Sequence, residues 1–382
     1  MTTLYVVRHA EAEGNIYRRV HGTYDGYITK NGEAQIERLK KRFETVSVDA
    51  VYTSDLSRTR QTATAIYEGK DIPVYFCPEL REFHFGIWED LTWGELVQDF
   101  PEQYHNWSFD PMNFRVEGSE TYHSMYCRVK AKLDEIVAEH PNGTVAVVTH
   151  GTVIRALLCA FLYDEDFSRI LEVQWCDNTA VACLEHENGK YAVTYCNDNE
   201  HLQEVSTLDR QQWWREVDDP AYFNLHFRLA EFPKDLELLD GYYHAAWLKI
   251  FGRDDYDSAQ TKARMKRLLA ADPRAIAVAQ RREEDVGAIL LDTRAKVLPD
   301  AGHIALLYLT EENRGKYMGA ILIGYAASLY RSMGKKYLSV RVAQTNTPAR
   351  KFYEKMGFEE MHMEQDNGII QIILRKQILD KF

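Results

Sequence analysis

Disulfide and metal-clip chemistry has little to draw on in this chain. Its 382 residues hold six cysteines, Cys77, Cys127, Cys159, Cys176, Cys183 and Cys196, all in the first half and none in a C-x-x-C pair. A chain this long needs no disulfide staples, so free, mostly buried thiols in a reducing cytoplasm are expected. Cations are in deficit as well: 46 Lys and Arg against 58 Asp and Glu leave a formal net charge of −12. That argues against a protein that coats nucleic acid, because counterion release needs Lys and Arg in excess. Small anions stay admissible, since they need only a local positive pocket. No apolar run reaches the ~20 residues that span a bilayer; the longest mostly apolar window is Met318 to Tyr330. The first fifteen residues lack a basic region followed by a long apolar stretch, so no signal peptide and no membrane association are expected. Low-complexity tracts and internal repeats are missing too.

What is present is a globular composition, 45% hydrophobic and 27% charged. The length exceeds one ordinary core, which predicts two domains: residues 1–200, a linker over 201–224, and residues 225–382. Up to Cys196, short apolar runs alternate with helical periodicity. "LYVV" and "AVYTS" read as strands, "SRTRQTATAIY" as a helix, and "TYHSMYCRVKAKLDEIVAEH" as a long amphipathic helix. "TVAVVTH" is a buried strand feeding the helix "TVIRALLCAFLY". Alternation of this kind predicts a layered α/β domain. A hairpin around Asn188-Gly189 closes it. Periodicity fades from Asn197 to Asn224, where Trp213 and Trp214 are expected to pack on a domain. Trp88 and Trp93 read as core or pocket wall. The second half reads as α+β, built around a strand-to-helix turn at "TEENRGKYMG".

Two histidines stand at equivalent strand ends. Arg8 and His9 terminate the run "LYVV", and His150 terminates "AVVT" ahead of Gly151 and a helix. Strand C-termini are where open α/β sheets place ligands. Arg58 opens a helix in "SDLSRTRQTA", and Glu82 sits in "LREFHFGIWED". Together these stretches resemble the histidine phosphatase superfamily, the phosphoglycerate-mutase-like proteins, over roughly the first half of the chain. Glu11 and Asn15 are in register, and "EGSET" matches a further segment. Ala10 and Ala12 depart mildly, the second dropping one neutral hydrogen bond of order 1 kcal/mol.

The resemblance implies a phosphoglycerate-mutase-like three-layer α/β domain with His9 as nucleophile and Glu82 as proton donor. Arg8, Arg58 and His150 complete the catalytic set, and Asn15, His21, Gly22 and Gly151 contact the substrate. The chemistry suits these residue types. A phosphate monoester repels nucleophiles, so positioning and charge neutralisation carry most of the catalysis. Guanidinium forks clamp phosphoryl oxygens, and a neutral imidazole attacks. No metal is required by this scheme.

The segments "TEENRGKYMGAILIGYA" and "NTPARKFYEKMGFEE" resemble the GNAT N-acetyltransferases from about Leu225 to the C-terminus. That likeness implies an acyl-CoA N-acyltransferase fold and acetyl-CoA as co-substrate. Its binding residues are Leu309, Arg314, Gly315, Lys316, Tyr317, Met318, Gly319, Ala320 and Asn346, and Tyr353 protonates the departing thiolate. Tyr317 replaces the loop's central glycine and sets a side chain where the cofactor approaches. Glu311 and Glu312 are candidates for the acceptor's base, against a plain reading as solvated loop carboxylates.

The expectation is therefore a cytoplasmic, bifunctional enzyme: a phosphatase of a small phosphorylated metabolite fused to an acetyl-CoA-dependent transferase of unknown amine acceptor. Self-association is left open. The rival readings are a phosphoglycerate-type mutase or a protein-phosphohistidine phosphatase, with the second half an acetyl-CoA sensor.

Overall fold

The computed structural model describes residues 1–210, 224–366 and 368–379. Trp213 and Trp214 lie outside the described residues. The chain divides into two compact units. Residues 1–15, 20–91 and, among those described, 99–210 form the first; residues 16–19, 92–98 and those from 224 onward form the second.

Chain order in the first half begins β1 (Thr2–Arg8), α1 (Glu13–Tyr17), α2 (Lys30–Phe43), β2 (Ala50–Thr53), α3 (Ser57–Tyr67) and β3 (Val74–Phe76). It continues through α4 (Trp93–Asp99), α5 (Pro101–Phe109), α6 (Tyr122–Glu139), β4 (Thr144–Thr149) and α7 (Gly151–Leu162). Strands β5 (Val181–Glu187) and β6 (Lys190–Asp198) form the expected hairpin, and α8 (Thr207–Arg210) follows. The hairpin turn has Asn188 and Gly189 both at positive φ, the geometry that matches strand twist.

The six strands run in the order β3-β2-β4-β1-β5-β6, the first four parallel. Val7, Ala146 and Val148 face a core with Leu39 and Phe43 of α2 and Ala63 and Ile66 of α3. Leu4, Val145 and Val147 alternate to the opposite face and are equally buried. Both faces are therefore covered, as a parallel sheet requires. Pairing of β1 with β4 sets Arg8 opposite Thr149, so the next residues of the two strands, His9 and His150, emerge side by side.

In the second unit, β7 (His226–Leu229) precedes α9 (Leu236–Phe251) and α10 (Ser258–Ala271). Then come β8 (Ile276–Arg281), β9 (Glu284–Asp292), β10 (Ala301–Leu309), α11 (Met318–Ser332), β11 (Tyr337–Ala343), α12 (Thr347–Lys355), β12 (Glu359–Asp366) and β13 (Ile369–Gln377). The seven-stranded sheet has the order β12-β13-β11-β10-β9-β8-β7. Its one parallel pair, β10 with β11, is joined only from Ala301 to Ile304 against Tyr337 to Val340. Past that point β10 bonds β9 alone and β11 bonds β13 alone, with a register shift in β10 between Ile304 and Leu306. The sheet thus splits toward the C-terminal ends of these two strands, each of which leads into a helix.

Residues 201–210, within the expected linker, are bonded into the first unit. The buried Asp177 carboxylate accepts from the backbone N–H groups of Asn178 (2.8 Å), Thr207 (3.2 Å) and Leu208 (3.2 Å). It accepts further from Ser206 Oγ at 2.5 Å and Asn199 Nδ2 at 3.2 Å. Gln35 Nε2 donates to the Val205 carbonyl at 2.8 Å, and Thr207 Oγ1 donates to Glu11 at 3.1 Å. An Asp177→Ala exchange leaves these donors buried without an acceptor, so it should destabilise the unit by about 3 kcal/mol or more. Scanning calorimetry of the full chain checks this; an unmoved first transition would show that the network carries no stability.

Candidate active site

His9 follows β1 and is 6% exposed. Its Nδ1 lies 2.7 Å from the Ala10 carbonyl. A carbonyl only accepts, so Nδ1 carries the hydrogen. Burial, and then the charges of Arg58 and Arg8, hold the ring well below the ordinary histidine pKa. A neutral ring protonated on Nδ1 leaves the Nε2 lone pair for attack.

His150 has the opposite tautomer. Arg58 Nη2 donates to its Nδ1 at 3.1 Å, which puts the hydrogen on Nε2. That Nε2 is buried and has no hydrogen-bond partner among the described residues. Burial and Arg58 again lower the pKa well below the ordinary value. The two rings lie 5.3 Å apart between centroids. One therefore offers a lone pair and its neighbour an N–H.

Arg58 is 1% exposed, and its terminal nitrogens are occupied. Nη1 donates to the Tyr24 carbonyl at 2.9 Å, and Nη2 to the carbonyls of Gly22 at 2.6 Å and His21 at 3.2 Å. Its Nε has no partner among the described residues, nor has Nε of Arg8, whose Nη1 donates to the Cys176 carbonyl at 2.5 Å. Glu82 closes the site: Oε1 accepts from Phe83 N–H at 2.9 Å and Oε2 from Thr152 N–H at 3.1 Å, at the first turn of α7.

The remaining assignments separate into two kinds. Asn15 accepts the Ala12 N–H at 2.9 Å through Oδ1, which leaves its NH2 to donate. A Cβ on Gly151 would approach the Arg8 guanidinium to 3.2 Å, so glycine lets that guanidinium lie against the helix start. His21 and Gly22 touch the site through their carbonyls on Arg58. The His21 ring itself is enclosed, since a Cβ on Gly14 or Gly26 would meet it at 2.6 Å, and it stacks on Tyr24. Trp88 is core, packed on Phe114.

Sequence reasoning passed over three supports. Asn178 Nδ2 donates to the His9 carbonyl at 2.9 Å, and Thr62 Oγ1 accepts the Ala10 N–H at 2.8 Å. Arg128, half-buried and paired with Glu120, donates to the carbonyls of Glu79, Arg81 and Glu82 and so fixes the strap that carries Glu82. A lone arginine on an amphipathic helix gives no sequence signal of such a task.

In the second unit the loop residues have distinct placements. Gly315 and Tyr317 both adopt positive φ, and Tyr317 caps the start of α11. The Tyr317 side chain is 45% exposed, and the Lys355 ammonium lies 4.6 Å from its ring centroid. The tyrosine thus takes a glycine-like backbone and turns its ring outward. Met318 and Ala320 bury their side chains, and a Cβ on Gly319 would press the Phe352 ring at 3.0 Å. Arg314 is tied to the Leu309 carbonyl at 2.8 Å and to Glu311 at 3.1 Å, with Lys316 beside it half-buried. Asn346 accepts the Ala349 N–H at 3.3 Å and caps α12. Tyr353 on that helix is buried, which pushes its phenol pKa up and keeps it protonated. Glu311 and Glu312 are exposed; a hydrogen bond from Thr310 lowers the Glu312 pKa, which suits a base poorly.

Both imidazoles have folded pKa values below the ordinary value of about 6.5. Below that pH the unfolded chain binds more protons than the folded one, so their contribution to stability is whole above pH 6.5 and declines as pH falls. Activity follows the same sign: kcat/KM, corrected for substrate ionisation, should hold through pH 6.5 and fall only below it. An acid limb centred at or above 6.5 would show that the nucleophile is not shielded in this way.

Residues 4–199 match the histidine phosphatase superfamily (branch 1), and residues 237–358 match the acetyltransferase (GNAT) family. Phosphoserine phosphatase 1 of Hydrogenobacter thermophilus is 32% identical over 204 residues, which cover 53% of this chain and 96% of that protein. An adenosylcobalamin/alpha-ribazole phosphatase of Salmonella typhimurium is 31% identical over 163 residues, covering 42% and 79%. Among solved structures, Bacillus stearothermophilus YhfR superposes with a TM-score of 0.51 at 33% identity, covering 53% of this chain and 99% of its own. With the paired histidines at the ends of adjacent parallel strands, the chain belongs to the histidine phosphatase superfamily, branch 1, and carries a GNAT acetyltransferase domain in its second half.

Proposed function

We propose that the first domain hydrolyses a small phosphate monoester through a phosphohistidine on His9. The observation that carries this reading is the pair of opposed tautomers. His9 Nε2 attacks phosphorus, while His150 Nε2–H and the Nε–H groups of Arg8 and Arg58 neutralise charge on the transferring oxygens. Glu82 delivers a proton to the leaving oxygen and then takes one from the incoming water. Water attacks the phosphohistidine, returning His9 and releasing phosphate. The names of the two relatives, a phosphoserine and an alpha-ribazole phosphatase, support a small phosphomonoester as substrate. Brief incubation with a labelled monoester, quenched in alkaline denaturant because the P–N bond of a phosphohistidine is acid-labile, should trap label on His9, and His9→Ala should lose activity by roughly 1000-fold or more while keeping its fold. Label on His150, or turnover by His9→Ala, would refute the mechanism.

For the second domain we propose acetyl-CoA as co-substrate, with residues 1–200 and 225–382 as the two functional halves. The split between β10 and β11 supports this, because from Ala305 to Tyr308 the strand β10 has no ladder partner in β11. The N-terminus of α11 supplies N–H groups and a positive dipole end for a pyrophosphate, and Lys316 adds charge beside it. Tyr353 holds a proton for the departing thiolate. Titration calorimetry on the full chain should give binding heat with acetyl-CoA. Silence to millimolar concentration in both wild type and Tyr317→Gly would refute binding. Heat from the glycine variant alone would show that Tyr317 closes the site.

A further inference from the structure

One buried cation in the first domain has no part in the chemistry above. Arg155 lies on α7, one turn beyond Gly151 and Thr152, and is 7% exposed. Its Nε donates to the Val173 carbonyl at 2.8 Å, and its guanidinium stacks 4.5 Å from the Trp175 ring centroid. Neither terminal nitrogen has a hydrogen-bond acceptor among the described residues, and no carboxylate pairs with it. Burial lowers its pKa, and the polar neighbours that oppose the shift are Tyr122 and Cys159, both neutral at pH 7. Burying a guanidinium without a counter-ion is unfavourable unless another group compensates it. Arg8 and Arg58 are compensated when a phosphate arrives. Nothing described so far does this for Arg155.

The surroundings point back to the catalytic centre. Helical side chains lean toward the helix N-terminus, so the Arg155 side chain leans toward the turn whose Thr152 N–H holds Glu82. The segment Val173–Cys176 bridges the two sites: its first carbonyl takes Arg155 and its last takes Arg8. Tyr122, 2% exposed, feels the charges of both Arg155 and Glu82, and its hydroxyl makes no hydrogen bond among the described residues. Its ring stacks on Trp107 in an aromatic wall with Phe83 and Phe114. The Arg155 terminal nitrogens and Tyr122 Oη lack a protein partner among the described residues yet are not sealed from solvent, so both polar ends are open to an entering group in an otherwise aromatic wall.

We propose that Arg155, backed by Trp175 and assisted by the Tyr122 hydroxyl, forms a second anion subsite that selects phosphate monoesters bearing a further negative group, a carboxylate or a second phosphate, on the leaving-group side. The proposal rests on the phosphatase reading and deepens it. A planar guanidinium takes either group through parallel N–H donors, whereas a neutral substrate displaces solvent from it without supplying an acceptor. Discrimination therefore comes as much from the penalty on the wrong substrate as from the gain on the right one.

The test uses the full-length enzyme and four probes: O-phosphoserine, its carboxamide, a three-carbon bisphosphate and p-nitrophenyl phosphate. Wild type should prefer phosphoserine or the bisphosphate over the carboxamide by at least tenfold in kcat/KM, and the larger preference identifies the anion. Arg155→Met keeps the apolar stem against Trp175 and should shrink that ratio at least tenfold, mainly through KM. An unchanged ratio, with every probe losing alike, would overturn the subsite. If the variant does not fold, the wild-type ratio decides: parity of phosphoserine, bisphosphate and carboxamide overturns it. Turnover of p-nitrophenyl phosphate through a His9 adduct keeps the phosphatase reading standing in either case, while its absence would sink both.

Discussion

Two imidazoles held 5.3 Å apart beside two guanidiniums serve phosphoryl transfer only while both are neutral and differently protonated. Everything around them enforces that condition. The Ala10 carbonyl fixes the hydrogen of His9 on Nδ1, and the Arg58 guanidinium fixes that of His150 on Nε2. Arg58 in turn is aimed by the carbonyls of His21, Gly22 and Tyr24. The loop after α1 thus sets the orientation of the Arg58 guanidinium through its carbonyls. Burial supplies the rest, since a second positive ring in this place would be repelled by both arginines.

A consequence is that the site concentrates buried positive charge, opposed at Arg58 by the carboxylates of Glu82, Asp25 and Glu89. Among the described residues Glu82 is the carboxylate that bonds into the helix start beside it. The free energy that a dianion releases on entering compensates desolvation already met in folding, which is how preorganised charge lowers a barrier without reorganising. Arg155 extends the same logic outward along α7. The Asp177 network, which ties residues 199–208 to the segment holding Arg8 and His9, is the scaffold that keeps these cations from being relieved by movement.

The second domain works with backbone rather than side chains. Its parallel strands part after Ile304, so N–H and C=O groups that a continuous sheet would consume are left along an edge. Tyr317 illustrates how a side chain can be added to such a device. Its φ of 60° is the left-handed conformation that glycine adopts freely, and the ring is drawn outward by Lys355. The strain is modest, and the N–H groups that follow keep their direction.

Sequence by itself determined the strands and helices that carry chemistry, because each strand is an apolar run bounded by a turn residue and each helix repeats at its own period. It also determined which residue types stand at strand ends, and hence that Arg8, His9 and His150 form a set. It missed α2, although Ile36, Leu39 and Phe43 recur at helical spacing, and β12, whose exposed residues show no alternation, and it gave residues 201–210 to a linker because their anchors, Gln35 and Asp177, are far away in the chain. Tertiary structure alone decided the tautomers, since each depends on which group faces a ring nitrogen across long sequence separations. It alone showed that the His21 carbonyl accepts from Arg58, and that the Arg58 fork is tethered rather than open. The unpaired state of Arg155 was likewise invisible in sequence, because a missing counter-ion is a property of packed neighbours and not of any residue.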